Sequence, residues 1–142
     1  MSAGTESPGQ EDVQVIQAAY QLTIERSDPQ RTAHSIERFL ALLSESVVYV
    51  PEGGGAAPYR GRTAMRRRLA RATEQWTSVR YQVEEILDLG DGELLVCGKV
   101  FACSDERRDL REIPFTNRWT LQAGRAVKVA SFADRRQALE KG

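Results

Sequence analysis

The C-terminal part of the chain contains two apolar-alternating segments separated by a tight turn, and this pairing constrains the fold most. The segments run from Ile113 to Leu121 and from Val127 to Ala133, and the connection between them is Gln122-Ala123-Gly124-Arg125. Alternation with a period of two is typical of a half-buried strand, and two such strands joined by a few residues that include glycine form a β-hairpin. The sequence therefore predicts a long hairpin that closes a curved sheet.

One face of the first of these strands is apolar except for a single amide. Its odd-numbered positions are Ile113, Phe115, Asn117, Trp119 and Leu121. A polar group among aromatic side chains indicates a pocket, so we expect Asn117 to face a cavity. A buried amide that is satisfied by neighbouring strands would give the same pattern.

Apolar residues at helical spacing predict three helices in the first half of the chain. The first lies between Glu11 and Ser27 and carries Tyr20 on its apolar face. The second ends at Ser44-Glu45-Ser46, and the third begins at Thr63, which is placed to cap it. Amphipathic helices bury one face, so we expect these helices to cover another element.

A short strand and a glycine-rich loop are predicted between the second and third helices. Val47-Val48-Tyr49-Val50 is rich in β-branched residues and is followed by Pro51, which stops the strand. The segment from Glu52 to Tyr59 contains three consecutive glycines. We expect it to form a mobile loop that could act as a lid.

Two further strands are predicted from Val79 to Leu89 and from Leu94 to Cys103, joined by a turn at Gly90-Asp91-Gly92. A break in the alternation at Glu85-Ile86 predicts a β-bulge in the first strand. Both faces of the second strand are largely apolar. We therefore expect both of its faces to be covered.

Lys99 is the unusual residue of the second of these strands, because it shares a face with apolar side chains that we expect to line the cavity. Lysine is seldom buried without a partner. In a pocket of low dielectric its pKa would fall, which would make it a base or an imine-forming amine. Paired with a carboxylate it would be an anchoring charge. If the phase of the strand is reversed, Lys99 faces solvent or a partner subunit.

Length and composition indicate one domain, since 142 residues leave no room for a second. We expect residues 1–10 to form a disordered tail and residues 11–142 to form the single domain. The chain has neither a signal-peptide pattern nor a run of about 18 apolar residues. Cys97 and Cys103 are too far apart along one strand to form a disulfide. We therefore expect a cytoplasmic protein with two free thiols and no membrane contact.

Six arginines lie close together in and just before the third predicted helix. They are Arg60, Arg62, Arg66, Arg67, Arg68 and Arg71. Such a run can bind phosphate, or it can form a solvated helix face, which is the interpretation we favour. The formal net charge of zero and the lack of interleaved aromatic residues argue against nucleic-acid binding.

Three stretches of the sequence carry a resemblance to a known family. They are Pro58 to Met65, Asp88 to Val96 and Val129 to Leu139. In this order, together with the first helix, they resemble the NTF2-like superfamily and its SnoaL-like branch. The resemblance implies an α+β cone, in which three N-terminal helices pack into the concave face of a curved antiparallel sheet. The segment from Ser27 to Ser35 is longer than the family's usual connection, so we expect that corner to be remodelled.

The resemblance also implies positions for functional residues. Ketosteroid isomerases, which belong to this superfamily, combine a carboxylate base with an oxyanion hole made by a tyrosine and a protonated aspartic acid. By helix and strand position, the tyrosine corresponds to Tyr20, the protonated acid to Asn117 and the base to Val50. Two donors that could polarise a carbonyl are therefore present and the base is missing. Tyr20 could equally be a packing tyrosine whose hydroxyl reaches water or backbone.

Asp134 matches the family's recurrent acid just past the last strand. We interpret it first as the cap of a terminal helix that starts near Arg135, and second as a general acid or base. His34 is the only histidine. We expect it on the surface, away from the pocket.

These arguments give one set of predictions for function. The predicted catalytic residues are Tyr20, Lys99, Asn117 and Asp134. The predicted pocket residues are Val50, Tyr59, Trp76, Phe101, Phe115 and Trp119. We expect a SnoaL-like enzyme of the isomerase, cyclase or dehydratase type, acting without a cofactor or metal on a hydrophobic, carbonyl-bearing small molecule. The alternative is a non-catalytic module for ligand binding or dimerisation, and relatives lead us to expect a homodimer.

Overall fold

A sheet of seven strands organises the computed structural model, which describes residues 8–53, 57–104 and 110–140. The helices are α1 (Pro8–Ala19), α2 (Pro29–Ala41), α3 (Gly61–Gln75) and α4 (Arg135–Glu140). The strands are β1 (Ile24–Glu25), β2 (Leu43–Val50), β3 (Tyr59–Arg60), β4 (Ser78–Gly90), β5 (Glu93–Cys103), β6 (Leu110–Gln122) and β7 (Arg125–Phe132). Three helices thus precede the long strands and one short helix follows them. The predicted α+β class and curved sheet are confirmed.

The strand order is β1-β4-β5-β6-β7-β2-β3. Neighbouring strands are antiparallel, as predicted, with one exception. β2 pairs in parallel with β7, through Tyr49 with Val129 and Val50 with Ala130. The sequence pattern did not reveal this pairing, since the two strands lie in opposite halves of the chain.

The predicted C-terminal hairpin is confirmed. β6 extends beyond the predicted first arm at both ends, whereas β7 begins before the predicted second arm and ends at Phe132. Gln122 pairs with Arg125 at the turn. Ala123 and Gly124 between them have φ of 52° and 77°. Two successive residues with positive φ are typical of the hairpin turn whose twist matches that of the strands.

The hairpin of β4 and β5 also follows the prediction. The register shifts between Val83 and Glu85, at the position of the predicted bulge. The turn contains Gly90, Asp91 and Gly92, all with positive φ. The bulge increases the local bend of β4, and this bend helps the sheet to curl around the first helix.

α1 ends well before the predicted boundary at Ser27. Its last turn is closed by Tyr20, whose N–H donates to the Ile16 carbonyl over 3.1 Å. The chain then enters β1, where Ile24 pairs with Val79 of β4 and is 2% exposed. Ile24 is therefore buried by a sheet edge and not by a helix face, because tertiary pairing outweighs the helical spacing.

The segment from Ser27 to Ser35 is not the long connection that was predicted. α2 begins at Pro29, and the Asp28 side chain caps it by accepting from the Arg31 N–H over 3.1 Å. Pro at the first position is favourable because it lacks the N–H that a helix start leaves unpaired. Most of the segment from Ser27 to Ser35 is consequently helical. Thr63 lies inside α3 and does not cap it, since the cap position belongs to Arg60.

α1 starts at Pro8, so the last three residues of the predicted tail belong to a helix. Residues 1–7, which include most of the expected tail, lie outside the described residues, as do residues 54–56 of the expected lid. None of the helices in the described part of the chain has the length and apolar character needed to cross a membrane.

The main hydrophobic core lies between the helices and one face of the sheet. Fully buried members include Ile16, Leu43, Val47, Leu94, Val96 and Trp119. The other face is partly covered by α4, whose Ala138 is fully buried and accepts a hydrogen bond from Arg118 Nη1 over 2.9 Å. The two faces of the sheet therefore have different roles, and the side on which a residue lies decides whether it can reach the interior.

Candidate functional site

The register of β5 against β6 shows which side chains face the interior. Asn117 pairs with Val96, and Trp119 pairs with Leu94. Directly paired residues of an antiparallel pair share a face. Since Trp119, Val96 and Leu94 are fully buried beneath the helices, this is the concave face of the sheet.

The end of α1 brings Tyr20 onto the concave face. Its hydroxyl oxygen accepts hydrogen bonds from Asn117 Nδ2 over 2.7 Å and from Trp119 Nε1 over 2.9 Å. Tyr20 is 9% exposed. The predicted partnership of Tyr20 and Asn117 is therefore present in the structure, and Trp119 joins it.

The polar contacts continue from Asn117 across β7 to β2. Asn117 Oδ1 accepts from the Ser131 hydroxyl over 2.8 Å, and Ser131 lies 2.9 Å from the Tyr49 hydroxyl. The Tyr49 hydroxyl in turn accepts from Arg68 Nη2 over 3.2 Å. Because the Ser131 proton goes to Asn117, Tyr49 is the donor to Ser131. We call this series, from Arg68 through Tyr49, Ser131 and Asn117 to Tyr20, the polar chain.

Every hydrogen bond of the polar chain is donated toward the Tyr20 oxygen. That oxygen accepts two hydrogen bonds, and its own proton has no acceptor among the described residues. Hydrogen bonds aligned in one direction polarise each other. Burial raises the pKa of the Tyr20 hydroxyl, although the hydrogen bonds from Asn117 and Trp119 act in the opposite direction. The Tyr20 hydroxyl is thus neutral and can donate a hydrogen bond to a ligand.

Aromatic rings surround Tyr20. Phe115 stacks on it with 5.1 Å between ring centroids and 13° between planes. Tyr81 and Trp119 meet it edge-on at 5.6 Å and 5.7 Å. Such contacts hold the ring in place, which fixes the position of its hydroxyl.

A cavity of about 400 Å³ lies beside these rings, between α3 and the concave face of β4, β5 and β6. Aromatic residues that line it are Tyr59, Trp76 and Tyr81. Aliphatic residues that line it include Leu69, Val79, Val100 and Ile113. A cavity of this size holds a small organic molecule.

A second cavity of about 490 Å³ lies on the other side of Tyr81, between the end of α1 and α2. Its lining includes Tyr20, Tyr81, Phe39 and His34. Tyr81 therefore lines both cavities. Burial also raises the pKa of the Tyr81 hydroxyl, with a contribution from nearby Tyr49 and an opposing one from Arg68.

Comparison with known proteins assigns this architecture to a family. The model of the SnoaL-like domain matches residues 28–129, which is well over half of the chain. The chain belongs to the SnoaL-like domain family. No curated protein matches the sequence at a significant level.

Solved structures share the fold of this SnoaL-like chain at low sequence identity. An NTF2-like protein of unknown function from Burkholderia pseudomallei is 15% identical with a TM-score of 0.69, over 92% of this chain and 95% of that one. TerC, co-crystallised with polyporic acid, is 19% identical with a TM-score of 0.68, over 92% and 96% of the two chains. A candidate SnoaL-like polyketide cyclase from Jannaschia sp. is 12% identical with a TM-score of 0.72, over 94% and 93%. These likenesses show the fold.

The structure places Lys99 on the convex face of the SnoaL-like sheet, which corrects the phase expected for β5. Lys99 pairs with Pro114. Its ammonium group lies 2.7 Å from Glu112 and 3.8 Å from Glu84, and its side chain is 39% exposed. The hydrogen bond that Lys99 donates to Glu112 raises the pKa of Lys99, which is the opposite of what an amine nucleophile needs. Two of the alternatives for Lys99 are therefore found together. The phase of its strand is reversed, and its ammonium group pairs with carboxylates.

Two predicted pocket residues lie on the convex face for the same reason. Phe101 is in phase with Lys99, and the Arg80 guanidinium lies 5.4 Å from the centre of its ring. Val50 follows Tyr49, and neighbours on a strand point to opposite faces. Tyr49 is the β2 residue that reaches the polar chain, so Val50 points away from it.

The remaining predicted residues divide between the site and its surroundings. Phe115 and Trp119 pack on Tyr20, and Tyr59 and Trp76 line the 400 Å³ cavity. Asp134 is exposed and accepts from the Gln137 N–H over 2.9 Å, so it caps α4 as first interpreted. His34 is exposed on α2, as expected, but it also lines the 490 Å³ cavity.

Four residues of the site were not predicted: Tyr49, Arg68, Tyr81 and Ser131. Tyr49 and Tyr81 lie on strands that the sequence predicts, yet nothing in the alternation shows which face is concave. Arg68 was counted with the arginine run. A helical position three residues after Met65 and next to Leu69, both buried, is the available signal that Arg68 borders the core.

None of the residues that line the 400 Å³ cavity carries a carboxylate or an imidazole. In the described ranges, no three His, Cys, Asp or Glu side chains come together where they could hold a metal ion. The 400 Å³ cavity can therefore hold a charge through Arg68, and its lining lacks a conventional base. Tyr20 lines the neighbouring 490 Å³ cavity, together with the imidazole of His34.

Proposed function

We propose that this chain is a cofactor-free SnoaL-like enzyme of the isomerase, cyclase or dehydratase type, acting on a hydrophobic small molecule that bears a carbonyl group. The observation that carries the proposal is the Tyr20 hydroxyl, whose oxygen accepts from Asn117 and Trp119 while its proton has no acceptor among the described residues. A donor fixed in this way is preorganised to meet a carbonyl oxygen on which negative charge develops.

In the proposed mechanism, the substrate lies against Tyr81, which lines both cavities, and its carbonyl oxygen accepts the Tyr20 proton in a hydrogen bond. As charge develops on that oxygen, some of it spreads to the Tyr20 oxygen. The N–H groups of Asn117 and Trp119 stabilise this charge. One such donor contributes about 3 kcal/mol to transition-state stabilisation in a site that excludes water.

The test compares wild type with Tyr20→Phe on a panel of polycyclic ketones and aromatic polyketides, with binding and turnover measured separately. The variant keeps the ring that packs on Phe115 and loses the hydroxyl. We expect turnover to fall about 100-fold while the affinity for the compound stays nearly the same. Tyr59→Phe is the matched control, because Tyr59 lines the cavity and has no contact with Asn117. Equal turnover by wild type and Tyr20→Phe would contradict the mechanism.

A specific observation favours a second candidate, a non-catalytic module that only binds such a ligand. The lining of the 400 Å³ cavity has no carboxylate and no imidazole to move a proton. On this alternative, wild type binds compounds of the panel with a measurable thermal shift and converts none of them. TerC was crystallised with polyporic acid and the Jannaschia protein is a candidate polyketide cyclase, which supports the use of aromatic polyketides in the panel for both candidates.

We also propose that the protein is a cytoplasmic homodimer that associates through the convex face. Cys97 and Cys103 are free, which is compatible with a reducing compartment. Phe101 and the ion pairs of Lys99 lie on this face, where a second copy could cover them. Sedimentation of wild type and of Phe101→Glu tests the proposal. A dimer that the substitution dissociates supports it, and a wild-type monomer at micromolar concentration refutes it.

A further inference from the structure

The lining of the 400 Å³ cavity is positively charged. Arg68 and Arg71 contribute the charged side chains, and no acidic residue lines the cavity. The remaining lining is aromatic, aliphatic or neutral polar. Both arginines belong to the run that the sequence left with two interpretations, a phosphate site or a solvated helix face.

The structure separates Arg68 from its neighbours in this run. Arg66 pairs with Glu37, and Arg62 Nε donates to the Leu43 carbonyl over 2.9 Å. Arg67 is exposed. Arg68 is half-buried and has no carboxylate partner among the described residues. A half-buried cation without an anion is unusual, because burial weakens its hydration and no opposite charge compensates its own.

Two aromatic rings hold the Arg68 guanidinium in place. It lies 4.5 Å from the centre of the Tyr49 ring and 5.2 Å from that of Tyr59. Its one hydrogen bond to another described residue goes from Nη2 to the Tyr49 hydroxyl. A guanidinium has five N–H donors, so most of them are free for a ligand. The rings restrict the side chain before a ligand arrives, which reduces the entropy lost on binding.

We propose that Arg68 is the anion anchor of this cavity, and that the ligand is a planar aromatic molecule with an ionised carboxylate, enol or phenol. This inference rests on the proposed function, since it specifies the class of molecule that lies in this cavity against Tyr81, next to Tyr20. The anionic group receives N–H donors of Arg68, and the ring system packs against Tyr59, Trp76 and Tyr81. An anion on Arg68 also lies at the donor end of the polar chain that leads to Tyr20.

An ionised ligand would account for the missing base. An enol that is already ionised in water does not need a carboxylate of the protein to remove its proton. The protein then has only to hold the anion, to orient the ring system and to polarise the reacting carbonyl, and the described side chains can do all three.

The test uses two probes that differ in charge and hardly in shape. They are 2-hydroxy-1,4-naphthoquinone, whose enol is ionised at neutral pH, and its methyl ether, which stays neutral. Their affinities are measured by calorimetry for wild type, Arg68→Met and Arg67→Met. We expect wild type to bind the anion at least about tenfold more tightly than the ether, as a charge-assisted hydrogen bond would give. Arg68→Met should lose this preference and still bind the ether.

Arg67→Met is the matched control, because it removes the same charge from the adjacent, exposed position of α3. It should keep the preference for the anion. An equal loss in both variants would mean that the general field of the helix attracts the anion, and this would overturn the anchor. Equal affinities of wild type for the two probes would overturn it as well and would leave the proposed function intact.

Two further outcomes separate the anchor from the proposed function and from misfolding. If wild type binds neither probe and no member of the ketone panel, both proposals fail. If Arg68→Met binds neither probe while wild type binds both, the affinities of Arg68→Lys distinguish a lost anchor from misfolding. This variant keeps the positive charge and loses the planar guanidinium group. Binding of both probes by Arg68→Lys with a reduced preference for the anion supports the anchor, and equal affinities would overturn it.

Discussion

Tyr20 and Asn117 are 97 residues apart in the chain and meet on the concave face with 2.7 Å between the hydroxyl oxygen and Nδ2. The contact joins the end of the first helix to the middle of β6. It therefore links the first helix to a central strand of the sheet. Asn117 also accepts from Ser131, so both ends of its amide are satisfied.

This contact predicts that the two residues are coupled in stability. Asn117→Leu leaves the Ser131 hydroxyl without its acceptor and removes one donor to Tyr20, which should cost about 1–3 kcal/mol of the free energy of unfolding. In the Asn117→Leu background, Tyr20→Phe should cost less than it does in wild type, by about 0.5–3 kcal/mol. Urea unfolding of the four proteins measures the difference. Additive effects would show that the contact contributes nothing.

Burial of tyrosine hydroxyls predicts a loss of stability in alkali. The pKa values of Tyr20 and Tyr81 are raised above the ordinary value of 10.0, so the folded chain keeps these protons at a pH where the unfolded chain releases them. The free energy of unfolding should hold its full value below pH 10 and fall above it. Each of the two groups contributes a slope of at most about 1.4 kcal/mol per pH unit.

Urea unfolding between about pH 8 and pH 11 measures this slope, and Tyr20→Phe should lower it by one group's contribution. The comparison of the two proteins removes the effect of all other groups that titrate in this range. Parallel profiles of wild type and Tyr20→Phe would contradict the burial of the hydroxyl.

The position of Lys99 predicts that its removal leaves ligand binding unchanged. Its ammonium group pairs with Glu112 and Glu84 on the convex face, whereas the cavity opens on the concave face. Lys99→Met should therefore bind any ligand of wild type with an affinity within about twofold, as expected when no contact is lost. Thermal shift and calorimetry with a compound from the ketone panel measure this. A loss of binding specific to this variant would place Lys99 in the site after all.

The packing around Gly98 predicts that not even one added methyl group is tolerated at this position. A Cβ there would overlap the Gln82 carbonyl oxygen and would lie 3.0 Å from Phe115 Cε2. Gly98→Ala must therefore move β4 away from β5 or displace the ring that stacks on Tyr20, at a cost of about 2–3 kcal/mol. Gly124→Ala is the comparison, because a Cβ there meets no atom within 4 Å and the change costs only the positive φ, about 1 kcal/mol. Equal midpoints in urea would contradict the overlap.

Local sequence patterns correctly predicted the turns, bulges and caps that depend only on residues close together in the chain. The turn at Ala123-Gly124, the bulge near Glu85 and the cap of α4 by Asp134 are all present. Each depends on the alternation of a strand, on glycine or on a side chain that bonds two or three residues away. Ile24 was misplaced because its burial comes from pairing with Val79, which a helical pattern cannot reveal.

The sequence alone predicted part of the candidate site. The remaining residues could be assigned only by knowing which face of each strand is concave. Asn117 stood out because four apolar residues share its face, so its position on the concave side needed no other strand. β5 is apolar on both faces, and its pattern gave no such choice. Lys99 and Phe101 were therefore assigned to the wrong side.

The sequence by itself determined the long hairpin, the curled sheet with three helices before its main strands, and the membership in the SnoaL-like family. Tertiary structure decided which face of β5 lies inside, because only the pairing of Val96 with Asn117 ties its phase to that of β6. It also decided that Arg68 turns toward the cavity while Arg66 and Arg67 do not. Such choices depend on contacts between residues far apart in the chain, and no local pattern of charge or hydrophobicity specifies them.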